Sequence, residues 1–425
     1  MKEINVIELF AGVGGFRLGL EGFNNGKSPI SGYKKNINSK KKYKVVYSNQ
    51  WEPSTKIQHA SKVYEKRFGS KGHFNLDISS LSVNDLKIKC DMLVGGFPCQ
   101  DYSVANSLRS SKGLLGKKGV LWWQIERILS ELGKNKPKFL ILENVDRLIK
   151  SPVSKKGRDF AVMLASLNDL GYTVEWRIIN AAEYGFPQRR RRVFIVGYLE
   201  NTVIEKRRIK KSNLEWIEST GILGSAFNCI KKTQPIDFEL KGDLETVSKK
   251  YGSNIGKSIF LNSGIAKNRK IFTCEVKPLE IRFDITLGQI LQKPADVPSD
   301  FWIDIKDKPK WVIAKGAKKK ERISKTGHVY TFSEGAMSLI DDLDLPSRTI
   351  ITSEGGKSPS RVKHLVEQAG RLRRLTPIEL EKLNMFPSDF TNLENISNTK
   401  RAFLMGNALV VGVVEKIGQS IINFI

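Results

Sequence analysis

The sequence is short of several features that would define a protein class. It has four cysteines in 425 residues, Cys90, Cys99, Cys229 and Cys274, and no two of them form a Cys-x-x-Cys pair. That spacing argues against a disulfide framework and against a cysteine zinc site, so no metal is expected and each thiol is weighed singly. No apolar run approaches the roughly 18 residues of a membrane-spanning helix. The start, MKEINVIELF, lacks the basic, apolar and small-residue order of a secretory signal. A soluble, cytoplasmic protein with no membrane partner is expected. Acidic residues are scarce: 44 Asp plus Glu stand against 71 Lys plus Arg, a net charge of +27. Such an excess points to a polyanionic partner, nucleic acid foremost, although an AT-rich coding bias also raises lysine.

The length exceeds one comfortable core, so two domains are expected. Residues 1–200 alternate apolar, strand-length runs with helical patterns: INVIELF, YKVVYSNQW, CDMLVGGF, KFLILENV, TVEWRIINA and RRVFIVGY are strands, and LWWQIERILSEL and RDFAVMLASLNDLGY are helices. That alternation implies an α/β fold whose mainly parallel sheet is covered on both faces, with ligands beyond the carboxyl ends of the strands. From about residue 201 to 370 the chain is irregular and basic, with EKRRIKK and KGAKKKERISKTGH. Helical periodicity returns in 371–425, whose last helix is expected to pack back on the first domain.

Six motifs stand at or beside strand ends. ELFAGVGGFRLGLE is a strand, a glycine turn and a helix start. Gly12 and Gly14 suit close approach of a cofactor, while Arg17 occupies the third glycine place of a nicotinamide fingerprint. A plain glycine turn would read the same way. SNQWEP offers Gln50, Trp51 and Glu52 to a ribose or adenosine, and NLDIS offers Asp77 and Ile78, though an isolated Asp is commonly a turn residue. In GGFPCQDYS, Cys99 is either a packed small hydrophobe or a thiolate; the Ser-, Gly- and Lys-rich stretch after it suits an exposed, reactive thiol. LENV places Glu143 at another strand end. PQRRRRVFIVG puts Arg190 and Arg192 on one face of an extended chain, or else forms a solvated basic run.

Together these motifs resemble the C5-cytosine DNA methyltransferase family. The resemblance runs in order through FAGVGG, GGFPCQ, KKGVLWWQ, ENV, QRRRRV, RRLTPIELEKLNMFP and GNALV. It implies an S-adenosylmethionine-dependent, Rossmann-like mixed sheet (1–200), a smaller irregular target-recognition domain (201–370) and a return segment (371–425). It assigns Cys99 as the nucleophile at cytosine C6, Glu143 as the acid at N3, and Arg192, with Arg190 beside it, at O2. The target base would be flipped out of a duplex. Phe10, Gly12, Gly14, Gln50, Trp51, Glu52, Asp77, Ile78, Pro98, Leu121 and Asn407 would line the S-adenosylmethionine site. Gln50 stands where the family often has Glu. Ser103, Arg109, Gln188, Arg348, Thr349 and Ile350 would contact DNA. The implied partners are double-stranded DNA and, functionally, a cognate restriction endonuclease. The implied protein is a monomer associated with the nucleoid through DNA. GGFPCQDYSVA, NQWEPS and RTIITSEG look closest to methylases that modify GATC. The alternative is the tRNA-acting branch of the same fold, which tends to lack so large an insert.

Overall fold

The computed structural model describes residues 3–22, 43–86, 88–98, 121–152, 154–251, 258–323 and 327–424. In chain order the first elements are β1 (Ile4–Leu9), α1 (Gly15–Glu21), β2 (Tyr43–Asn49), α2 (His59–Phe68), β3 (His73–Phe74), β4 (Met92–Gly96), α3 (Leu121–Glu131), β5 (Phe139–Val145), α4 (Arg158–Asp169), β6 (Tyr172–Asn180) and β7 (Arg191–Leu199). Strands β3, β2, β1, β4 and β5 are parallel neighbours. Strand β7 inserts between β5 and β6 and runs antiparallel to both. The turn from β6 to β7 is short enough for a direct reversal, which no crossover helix interrupts.

Alternation along the strands divides the interior into two cores. Val6, Val94, Ile141 and Val196 face one side, against α1 and the C-terminal helix Val411–Ile422. Ile7, Leu93, Leu140, Leu142 and Ile195 face the other, against α3 and α4. Helix α3 is an amphipathic example, burying Trp122, Ile125, Ile128 and Leu129 at helical spacing. The stretch Asn398–Ile422 is apolar enough to cross a membrane by length and composition, yet it lies mostly inside this core. Tyr43 Oη donates to Gly418 O at 2.7 Å, tying its last helix to β2.

The sheet passes beyond residue 200, the boundary expected for the first domain. After β8 (Cys229–Lys231), the strands β9 (Ile236–Glu239), β10 (Ser263–Lys267) and β11 (Lys270–Cys274) follow; β10 pairs with β6, and the full order is β3-β2-β1-β4-β5-β7-β6-β10-β11-β9. Buried Ile265, Ala266 and Ile271 continue the two cores into this extension. Short strands and recurrent glycine concealed that continuity at the sequence level. Farther on, Lys318–Ile323 and Val329–Glu334 pair as a hairpin outside the sheet.

Candidate active site

The carboxyl ends of β1, β2 and β3 meet around the glycine turn. Ala11 N donates to Asn49 O at 3.0 Å, and Gln50 N donates to Phe74 O at 3.0 Å. Phe10 and Gly12 both adopt positive φ, +54° and +55°. A Cβ on Gly12 would meet nothing within 4 Å, so the space above the turn is open. At Gly14, with φ +89°, a Cβ would lie 2.3 Å from the Phe68 ring, so a side chain there is excluded twice over. Gln50 is buried, and its Oε1 accepts from Gly12 N at 2.7 Å. The side-chain oxygen at this position thus supports the loop itself. Trp51 is 38 % exposed beside it. Glu52 lies 3.5 Å from Lys400 Nζ, which brings helix Asn398–Asn407 to the same end of the sheet. Asp77 caps the short turn Ile78–Ser80, accepting from Ser79 N at 2.9 Å, while Ile78 is buried. Leu121 opens α3 half-buried, and Asn407 is exposed. An open cradle flanked by an aromatic face and strand-end polar groups suits an adenosine-bearing donor.

The second cluster lies where β4, β5 and β7 meet. Glu143 registers against Gly96 of β4, and a Cβ at Gly96 would come within 3.2 Å of Glu143 Oε2. Arg192 Nε is 3.0 Å from Glu143 Oε1, with both side chains largely buried. Burial pushes the Glu143 carboxyl above its ordinary range, and the Arg192 and Arg190 charges pull it back in part. The chain leaves β4 beside this carboxyl through exposed Pro98. Cys99, Ser103 and Arg109 lie outside the described residues.

Several side chains expected at the substrate are engaged with other parts of the chain. Gln188 is fully buried: its Nε2 donates to Leu383 O and Asn384 Oδ1, and its Oε1 accepts from Ile350 N at 3.0 Å. Both of its N–H donors are thus committed within the protein. Ile350 is likewise 0 % exposed. Arg190 is buried and donates to Ile350 O at 2.9 Å and Gly406 O at 2.8 Å, so it joins two segments and does not present its guanidinium to a base. A Cβ on Gly406 would strike Thr352 N at 2.3 Å; this glycine in GNALV permits that approach. Arg348 holds both carboxylate oxygens of Asp341, and Thr349 Oγ1 donates to Arg189 O at 2.6 Å. Strand alternation placed Arg190 beside Arg192, but it could not say which carbonyls would close over it.

Two residues of the site escaped the sequence reading. Asn144, next to Glu143 but on the opposite face, donates from Nδ2 to Phe97 O at 2.9 Å and so holds the exit from β4. Glu8 is fully buried under the glycine turn, accepting from Tyr64 Oη at 2.9 Å and Arg17 N at 3.3 Å. Burial raises its carboxyl to about 7, against the opposing pull of Tyr64 and Arg17. A carboxylate inside an otherwise apolar strand was the available signal.

A parallel run closed by a reversed strand, with a glycine turn after β1, defines a methyltransferase fold. A methyltransferase of Entamoeba histolytica, EhMeth, superposes with a TM-score of 0.58 over 100 % of this chain and 99 % of its own at 16 % identity. The S. pombe Dnmt2 methyltransferase gives 0.56 over 99 % and 98 % at 15 % identity. More specifically, the sequence model of C-5 cytosine-specific DNA methylases matches residues 4–423, and the chain belongs to that family. The type II methyltransferase M.Sau3AI of Staphylococcus aureus is 45 % identical over 99 % of this chain and 96 % of that protein. The protein is therefore a DNA cytosine-5 methyltransferase. Methyltransferases of this fold use S-adenosylmethionine in general.

Proposed function

We propose that the protein is the modification enzyme of a restriction–modification system, methylating cytosine C5 within GATC in double-stranded DNA. The reading rests on the Glu143–Arg192 pair beside the end of β4. The family likeness and the motif similarities support the target. In this scheme the Cys99 thiolate adds to C6 of a flipped cytosine, which makes C5 nucleophilic. Glu143, whose burial favours the protonated form, donates its proton to N3 as charge builds there. Arg192 steadies O2. S-adenosylmethionine, when bound, supplies the methyl electrophile. Water then removes the C5 proton, the Cys99–C6 bond breaks to release the thiolate, and N3 returns its proton to the Glu143 carboxylate.

Phe10, Gly12, Gly14, Trp51, Asp77, Ile78, Pro98, Leu121 and Asn407 would line the donor site. Gln50 supports Gly12 from below, and Glu52 stands beside Lys400 at its rim. Arg190 acts as a positioning residue, joining β7 to the Ile350 and Gly406 segments. Ser103 and Arg109 would meet DNA. Residues 201–370 would carry target recognition, although 236–274 also complete the sheet; 371–425 would return to the catalytic core. The enzyme would act as a cytoplasmic monomer held at the nucleoid by DNA, with an endonuclease of the same specificity as its functional counterpart.

The test uses the full chain, unmethylated phage DNA and S-adenosylmethionine, with bisulfite mapping of the product. Methylation confined to one cytosine of GATC, abolished by Cys99→Ala with DNA binding retained, is the expected result. Methylation of another sequence would overturn the target. Transfer to tRNA but not to duplex DNA would overturn the substrate.

A further inference from the structure

Lys318–Ile323 and Val329–Glu334 form a sheet of their own, mostly exposed, and among the described residues it pairs with no further strand. All six residues of its first strand are exposed, and that strand, KKKERI, carries four cations and one anion. A bare two-stranded hairpin is marginal in water, and exposed Ile323 and Val329, at 73 % and 56 %, add nothing to a core. The register gives its two faces different chemistry. Lys318, Lys320 and Arg322 pair with Glu334, Phe332 and Tyr330 and share one face. There the Arg322 guanidinium sits 3.8 Å over the Phe332 ring, a stacking that orders an otherwise flexible cation.

The feet of this ribbon are anchored firmly. Arg361 donates to Gly316 O at 3.0 Å and also to Gly335 O, so one guanidinium spans both legs. Met337 N donates to Lys315 O at 2.9 Å just below. Buried Lys315 lies 3.8 Å from Asp341, and Asp341 grips Arg348. Through Ile350 that segment reaches Gln188 and Arg190, two residues before Arg192. A rigidly footed, cationic, two-stranded ribbon is thus tied through packed contacts to the strand that carries Arg192.

We infer that these paired strands, Lys318–Ile323 and Val329–Glu334, are the element that enters the DNA major groove and reads sequence, with Lys318 and Lys320 on phosphates and Arg322 on a guanine edge. The inference rests on the DNA-methylating reading above. A two-stranded ribbon matches the width of the major groove, and a preordered arginine suits the O6 and N7 acceptors of guanine. Arg348, Thr349 and Ile350 then transmit the ribbon's position to β7 without touching bases.

The test measures binding of the full-length enzyme to a GATC duplex and to a scrambled duplex across a salt series, with bisulfite mapping of methylated phage DNA. Lys318→Ala with Lys320→Ala should weaken both duplexes alike and reduce the slope of log affinity against log salt by about 2. Arg322→Ala should weaken the GATC duplex about 10–100-fold, change the scrambled one far less, and relax the methylated motif. Glu321→Lys should tighten both and steepen the salt slope, a gain that misfolding cannot produce. If all three variants keep wild-type affinity within twofold, the wild-type slope and the wild-type motif, the ribbon does not read DNA. Failure of the wild type itself to methylate DNA would instead remove the underlying reading.

Discussion

Arg192 Nε lies 3.0 Å from Glu143 Oε1, across the register that places Val145 opposite Arg192. The pair is partly sheltered, and its carboxyl is pulled upward by burial and downward by the guanidinium. Removing Arg192 takes away the leading downward influence, so Glu143 should hold its proton to higher pH. In Arg192→Ala, single-turnover methyl transfer should fall on the order of 100–1,000-fold. The loss of rate at high pH should move to higher pH. A pH–rate profile shifted the other way would contradict the role of Glu143 as acid.

Gln50 supports the donor loop through one hydrogen bond to Gly12 N. Gln50→Glu retains an acceptor and should leave S-adenosylmethionine affinity within about threefold, whereas Gln50→Ala should weaken it about 5–20-fold, the worth of one hydrogen bond at a partly buried site. Isothermal titration of both variants separates loop support from direct ribose contact, which would penalise the two substitutions differently.

Arg190 bonds two main-chain carbonyls in the interior. Arg190→Ala leaves both without that donor and opens a void, so stability should fall by roughly 3 kcal/mol. The same change at Arg192 should cost stability less, since its side chain is 18 % exposed and bonds only the neighbouring Arg191 carbonyl on the main chain. Urea denaturation of the two variants compares them directly, and equal losses would return Arg190 to the substrate.

Glu8 titrates near 7 in the folded protein because burial disfavours its charge. Its folded value lies above the unfolded one, so its stabilising contribution is complete below about pH 4.5 and disappears as pH rises through about 7. Integrated over that window the loss is roughly 3 kcal/mol. Glu8→Gln should therefore flatten the decline of stability between pH 5 and 8 and gain on the wild type at the upper end. Thermal melts at several pH values measure this; an unchanged slope would show that Glu8 does not control it.

The motifs were legible because their chemistry is local. A glycine turn after an apolar strand, a carboxylate at the end of LENV and alternating arginines before VFIVG are short-range signals, and the two cores follow from strand alternation. Residues at strand ends converge in such a sheet whatever lies between them, which is why Glu143 and Arg192 could be paired before any coordinates. Family membership was equally legible, since collinear motifs over the whole chain specify it.

What the amino-acid order could not settle is which polar side chain faces inward against a distant segment. Gln188, Arg190 and Arg348 carry groups suited to DNA, and local pattern treats them as exposed. Their partners, at Leu383, Ile350, Gly406 and Asp341, are brought in only by packing across long separations. The same holds for β9 to β11, whose short runs become strands by pairing with the free edge of β6. Sequence alone determined the family and the alternation of strands and helices in the sheet's first half. Tertiary structure decided which cations are buried struts and which lie exposed on a ribbon, because burial of a charge depends on the carbonyls and carboxylates that surround it and not on its neighbours in the chain.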